Sequence, residues 1–145
     1  MRLKNPLLKG DLKGNAAVIY KGGQVPIDKV VVAEGPETAA SVVLAVNAIE
    51  NNIPVLASLS LGNLANLSSI VLARWRPKIV IIAADNDGNS DKNDDAIVKF
   101  KSVLEEHNVR VQVKMPKLAK NVSKIDWNDV LVKQGLARLK SVFGE

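Results

Sequence analysis

Cysteine is absent from the 145 residues, which excludes a disulfide framework, a thiolate zinc site and a cysteine nucleophile. A metal held by this chain is therefore held by oxygen. Aromatic residues make up 3% of the sequence, too few for base stacking on exposed rings to be a main mode of binding. Long apolar runs are lacking too. VVVAEG and IVIIAAD are broken by polar groups far short of the roughly 20 residues that span a bilayer. The opening MRLKNPLLKGDLKGNAAV has no unbroken apolar stretch of the kind a secretory signal carries. These absences point to a cytoplasmic protein that does not enter the membrane. No internal repeat or low-complexity tract interrupts the chain.

What is present is the composition of one ordinary domain: 47% of the residues are hydrophobic, enough to bury a single core without staples. Twenty Lys and Arg stand against 15 Asp and Glu, a formal charge of +5, which favours an anionic partner such as nucleic acid. A solvated lysine-rich surface would give the same total, so the distribution matters more. Arg2, Lys4, Lys9, Lys13 and Lys21 lie near one end and Lys114, Lys117, Lys120 and Lys124 near the other, with the acids crowded between. Basic flanks around an acidic centre suit a metal site that serves a phosphate backbone.

From residue 29 onward strand-like and helix-like segments alternate, the pattern of βαβ units and a parallel sheet. Val30 to Ala33 is a β-branched run ending in Glu-Gly, and a helix with Pro36 at its first position is expected to about Asn51. Strands over Ile53–Ser58, Pro77–Ala84 and Val109–Val113 follow. Between them the spacing predicts helices over Asn63–Arg74 and Asp94–His107, the latter with apolar Ile97, Val98, Val103 and Leu104. Ahead of this unit, AAVIYKGGQVPI reads as a β-hairpin with a Gly-Gly turn at the sheet edge. Behind it, the basic loop MPKLAKNVSKI leads to one or two helices from Asp126 to Phe143, where Asp126 and Asp129 have the spacing of a capping box. Residues 1–28 are thus a basic segment and hairpin, and 29–145 the compact unit with its C-terminal helical extension.

In a parallel sheet the C-terminal ends of the strands share one edge, and ligands bind in the crevice beyond it. Glu34 follows the first core strand and Asp85 and Asp87 follow the third. Residues two apart on an extended segment point the same way, so Asp85 and Asp87 can offer oxygens jointly while Asn86 faces elsewhere. Carboxylates brought so close repel one another, and a divalent cation removes that cost. Mg²⁺, which takes one or two carboxylates and bridges to phosphate, is the natural occupant, with Mn²⁺ as a possible substitute. Gly35 and Gly88 each follow an acid where the chain turns and a phosphate would approach the backbone. Glu37 sits where an acid stabilises a first helical turn. DNDGN also has the composition of a plain polar turn.

VVVAEGPETAASVV, PKIVIIAADNDGN and KIDWNDVL together closely resemble the Toprim domains of plasmid- and phage-type primases and conjugative relaxase-associated proteins, over residues 14 to 134. The resemblance implies an α/β fold with a four-stranded parallel sheet between helices. It assigns Glu34 to the family glutamate, Asp85 and Asp87 to the Asp-x-Asp metal pair, and Glu37 to an extended E-G-x-E-T form. Asp126 and Asn128 fall in a later D-[WF]-N-D segment, where Asp126 is either an outer carboxylate or simply the helix cap. It further implies Mg²⁺-dependent phosphoryl or nucleotidyl transfer on nucleic acid, with Glu34 completing the metal set or shuttling a proton. The partners expected are single-stranded DNA, nucleoside triphosphates and other parts of a replication or conjugative-transfer apparatus of a mobile element. Lys114, Lys117, Lys120 and Lys124 are the candidate contacts to nucleic acid. A Toprim-type nuclease and a non-catalytic nucleic-acid-binding remnant of a larger primase or relaxase are the alternatives.

Other readings fit less well. A topoisomerase needs a tyrosine nucleophile, and the one tyrosine, Tyr20, lies in the hairpin. Complete primases add a template-binding region, often zinc-bound, whereas this chain has no cysteine and His107 alone. His107 itself is expected to serve the helix dipole and not a site. A phosphatase of the haloacid-dehalogenase type opens with Asp-x-Asp-Gly, but here 60 residues follow Asp85. An EF-hand would need glycine at loop position six and glutamate at twelve, where this sequence has Ser90 and Ala96.

Overall fold

The computed structural model describes residues 17–20, 27–47, 53–60, 62–88 and 94–144. Strand β1 (Ala17–Tyr20) is followed by β2 (Lys29–Ala33), helix α1 (Pro36–Asn47), β3 (Val55–Ala57), and a 3₁₀ turn (Leu64–Leu67) that runs into α2 (Ser68–Arg74). Then come β4 (Ile79–Ala83), α3 (Asp95–Glu106), β5 (Arg110–Lys114), α4 (Trp127–Gln134) and α5 (Leu136–Phe143). The sheet order is β1-β3-β2-β4-β5. The pairs β3–β2, β2–β4 and β4–β5 are parallel, and β1 lies antiparallel on β3. The expected four-stranded parallel sheet between helices is therefore present, with an antiparallel strand at its edge. The second arm of the expected hairpin falls mostly outside the described residues; Ile27, its last residue, is not in a strand.

Each central strand is apolar on both faces because both are covered. Val31, Ala33, Val55, Ala57, Ile81 and Ala83 face one core with Ala39, Val42 and Val46 of α1 and Val130, Leu139 and Phe143 of α4 and α5. Val30, Val32, Leu56, Val80, Ile82 and Ala84 face the other, with Leu67, Val71, Ile97, Phe100 and Leu104. The stripe expected on α3 needs one correction: Val98 is exposed, and Phe100, fully buried, takes its place. At 3.6 residues per turn Ile97, Phe100 and Leu104 share a side, and Val98 is rotated out of it.

The closing helices meet at Gly135, where φ is +88°. That value ends α4 and allows α5 to fold back onto α1. The capping box is complete: the Asp126 carboxylate accepts from the Asp129 N–H at 2.8 Å and Asp129 accepts from the Asp126 N–H at 3.0 Å. Trp127 is buried against Phe143, edge to face at 5.2 Å, and its Nε1 donates to the Lys114 carbonyl at 3.1 Å. Among the described residues no helix is long and apolar enough to cross a membrane.

Candidate active site

Strands β2 and β4 are neighbours in register, Ala33 opposite Ala83. The chain leaves β2 through α1 on one face towards β3, and leaves β4 through α3 on the other face towards β5. The two connections diverge, so a crevice opens between the ends of β2 and β4, the position at which open α/β sheets bind ligands. A cavity of about 290 Å³ lies there, lined by Glu34, Ser58, Asp85, Asp87 and Lys124 over a floor that includes Val32, Ile82, Leu64 and Ile97. Glu34 and Asp85, 51 positions apart in sequence, thus line one space with Asp87. Asn86 turns away, as its place in the alternation predicts. Its backbone exchanges two hydrogen bonds with Ile125, at 2.8 and 2.9 Å. Its side-chain amide donates to the Pro116 carbonyl at 2.9 Å, and its oxygen accepts from the Gly88 N–H at 3.1 Å.

The cleft's electrostatics centre on Asp85. Its pKa is pushed up to about 6, first by burial and then by the negative charges of Glu34 and Asp126; a hydrogen bond from Thr38 and the charge of Lys124 act in the opposite direction. Thr38 Oγ1 reaches Asp85 Oδ1 only at 3.5 Å, too long to compensate for the repulsion. The charges of Glu34 and Asp126 repel the Asp85 carboxylate, and a cation bound beside them would relieve that repulsion. The donors are hard oxygens, and His107 is elsewhere, its Nδ1 3.0 Å from the Val103 carbonyl at the end of α3. The donor set fits a hard divalent cation. Among the described residues, no three acidic or imidazole groups are drawn together as a ready-made cage.

Other residues singled out in the sequence have more varied places. Gly88 needs its glycine because φ there is +83°; the Ser123 carbonyl and Leu118 Cδ1, 3.6 and 3.7 Å from where a Cβ would stand, are at ordinary contact distance. Gly35 has an ordinary φ and open space around it, so no left-handed turn is made there. Glu37 is exposed in the first turn of α1. Asn128 faces α1, its Oδ1 accepting from Ser41 Oγ at 2.8 Å. Asp126 caps α4 while its charge reaches Asp85. Lys114 is half-buried and donates to the Val142 carbonyl at 2.8 Å, whereas Lys117, Lys120 and Lys124 are exposed.

Sequence reasoning missed the contribution of the β3 loop. Ser58 N–H donates to the Ala33 carbonyl and Leu59 N–H to the Glu34 carbonyl, both at 2.8 Å. Leu59 adopts φ +73°, a conformation costing a non-glycine residue on the order of 1 kcal/mol. The two hydrogen bonds hold the loop against the backbone of Glu34 and offset that cost. Nothing in the letters SLSLGN signals it.

Comparison with known proteins gives three findings. Residues 29–137 match the family model described as Toprim domain. No curated protein matches the chain. Among solved structures, the primase fragment of the bacteriophage T7 primase-helicase protein is similar, with a TM-score of 0.55 and 13% sequence identity over 86% of this chain and 46% of that one. The chain therefore spans about half the length of that structure, and the likeness is one of fold.

Proposed function

Because the chain belongs to the Toprim domain family, which its residues 29–137 match, we propose that it performs Mg²⁺-dependent phosphoryl or nucleotidyl transfer on nucleic acid. In this reading it is the catalytic module of a primase-like DNA-processing protein of a mobile element and works in the cytoplasm. The observation that carries the reading is the convergence of Glu34, Asp85 and Asp87 on one cleft at the switch point of the sheet.

Asp85 and Asp87 would hold the cation, with Glu34 and the charge of Asp126 adding to the field. Bound there, Mg²⁺ would neutralise phosphate oxygens and favour displacement at phosphorus. The chain's own residues do the rest. Glu34, which lines the cleft together with the Asp pair, takes the proton of the attacking hydroxyl. Lys124, on the rim, balances the negative charge of the phosphate. The apolar floor of Val32, Ile82 and Ile97 keeps part of the cleft dry, which strengthens each of these interactions. Nucleoside triphosphates and single-stranded DNA are the substrates in primer synthesis. A strand and water would be the substrates in cleavage, which the same carboxylates serve.

The test is a titration of Mg²⁺ or Mn²⁺ with primer synthesis and strand cleavage followed on one single-stranded DNA. Wild type is expected to give one of the two products and Asp85→Ala/Asp87→Ala neither. The product then decides between primase and nuclease. A wild type with no product under any metal would leave a nucleic-acid-binding remnant as the better account.

A further inference from the structure

Residues 115–125 form a strap that the cleft does not exhaust. Asn86 pins it at Pro116 and at Ile125. Lys124, on one side, lines the cleft. Pro116, Lys117 and Ile125, on the other, line a separate groove of about 350 Å³ against β5, α4 and α5. Its apolar lining includes Met115, Ile125 and Val142, and Lys114, Lys117, Gln134 and Arg138 supply its polar groups. From Arg110 to Gly144 the chain carries eight Lys or Arg against two Asp. Both of those, Asp126 and Asp129, are engaged in the capping box.

We propose that this groove binds the sugar-phosphate backbone of a single-stranded nucleic acid whose reacting phosphodiester lies in the cleft across the strap. The inference rests on the reading of the cleft given above and adds a second binding site for the same strand. Lys117 and Arg138 meet phosphates, while the apolar lining accepts the less polar side of sugars and bases without reading their sequence. Lys120 is exposed on the strap itself. Lys114 also lines the groove, its ammonium donating to the Val142 carbonyl at 2.8 Å, and its charge adds to the positive field there. An acidic amphipathic peptide would also find cations beside an apolar surface, but the wall shared with the cleft favours the strand.

The experiment measures binding of a fluorescein-labelled single-stranded oligothymidylate across a salt series. It compares wild type, Lys117→Glu/Arg138→Glu, and a charge-matched control, Lys99→Glu/Lys101→Glu, on α3 across the sheet. Thermal melts confirm folding of both variants. Removing the two cations that meet phosphates is expected to weaken binding more than about tenfold. It should also make the slope of log K against log salt shallower by about 1.4, at about 0.7 per phosphate on a single strand. The control is expected to stay within about twofold of wild type. Equal losses of affinity in both variants, or in neither, would overturn the groove; metal-dependent product formation by the wild type would then still support the cleft. Failure of wild type to bind the strand, with a polyglutamate peptide bound instead and released by the same reversal of charge, would overturn it in favour of a protein partner.

Discussion

Asp85 is the residue at which the chain accepts a cost. With its folded pKa raised to about 6 from an ordinary 3.8, it retains a proton more readily in the folded state. Its contribution to stability is therefore present below about pH 4 and lost as pH rises through 6. Asp85→Asn, measured in EDTA, should raise the melting temperature above pH 6 and leave it unchanged near pH 4. The side chain is only half-buried, so solvent screening reduces the gain to about 1 kcal/mol, or a few degrees. Equal melting of the two proteins across that range would show that the carboxyl is not strained by its neighbours. The two glycines also separate at this scale. Gly88→Ala, forced to hold φ at +83°, should lose about 1 kcal/mol in a denaturant titration, while Gly35→Ala should be nearly neutral.

At the scale of elements, the strap and the capped helix make the predictions. Asn86→Ala keeps the backbone pair with Ile125 but loses the side-chain bonds to Pro116 and Gly88. Amide exchange over residues 116–125 should quicken, with a global loss of about 1–2 kcal/mol; unchanged exchange would mean that the strap is held by other interactions. The capping box is legible in the sequence because Asp126 and Asp129 have the required spacing, and the orientation of Asn86 is legible because alternation has a strict period of two. The Leu59 conformation and the short length of β3 are not. They follow from where β3 meets β2 and the Glu34 backbone, a tertiary fact with no local signature. Phe100 escapes a stripe traced through Ile97 and Val98, since a helix splits such an i, i+1 pair between two faces.

At the scale of the molecule, the helices of the C-terminal extension complete the domain. Leu139 and Phe143 are buried in the core shared with α1 and Trp127, so Phe143→Ala should cost about 3–5 kcal/mol in a denaturant titration. Val132→Ala, at a residue 76% exposed, should cost little by the same measure. The position of the cleft is legible at this scale: alternating elements imply a parallel sheet, and a parallel sheet puts the residues after β2 and β4 on one rim. The other boundary of the cleft is less so, since Thr38, Ser58 and Lys124 reach it only through the packing of α1, the β3 loop and the strap. If this rim holds a divalent cation, calorimetric titration of Mg²⁺ and Mn²⁺ into wild type should give a saturable isotherm, and Asp85→Asn/Asp87→Asn, which retains the fold and loses the charge, should bind at least about tenfold more weakly. Indistinguishable isotherms for the two proteins would mean that these carboxylates hold no cation.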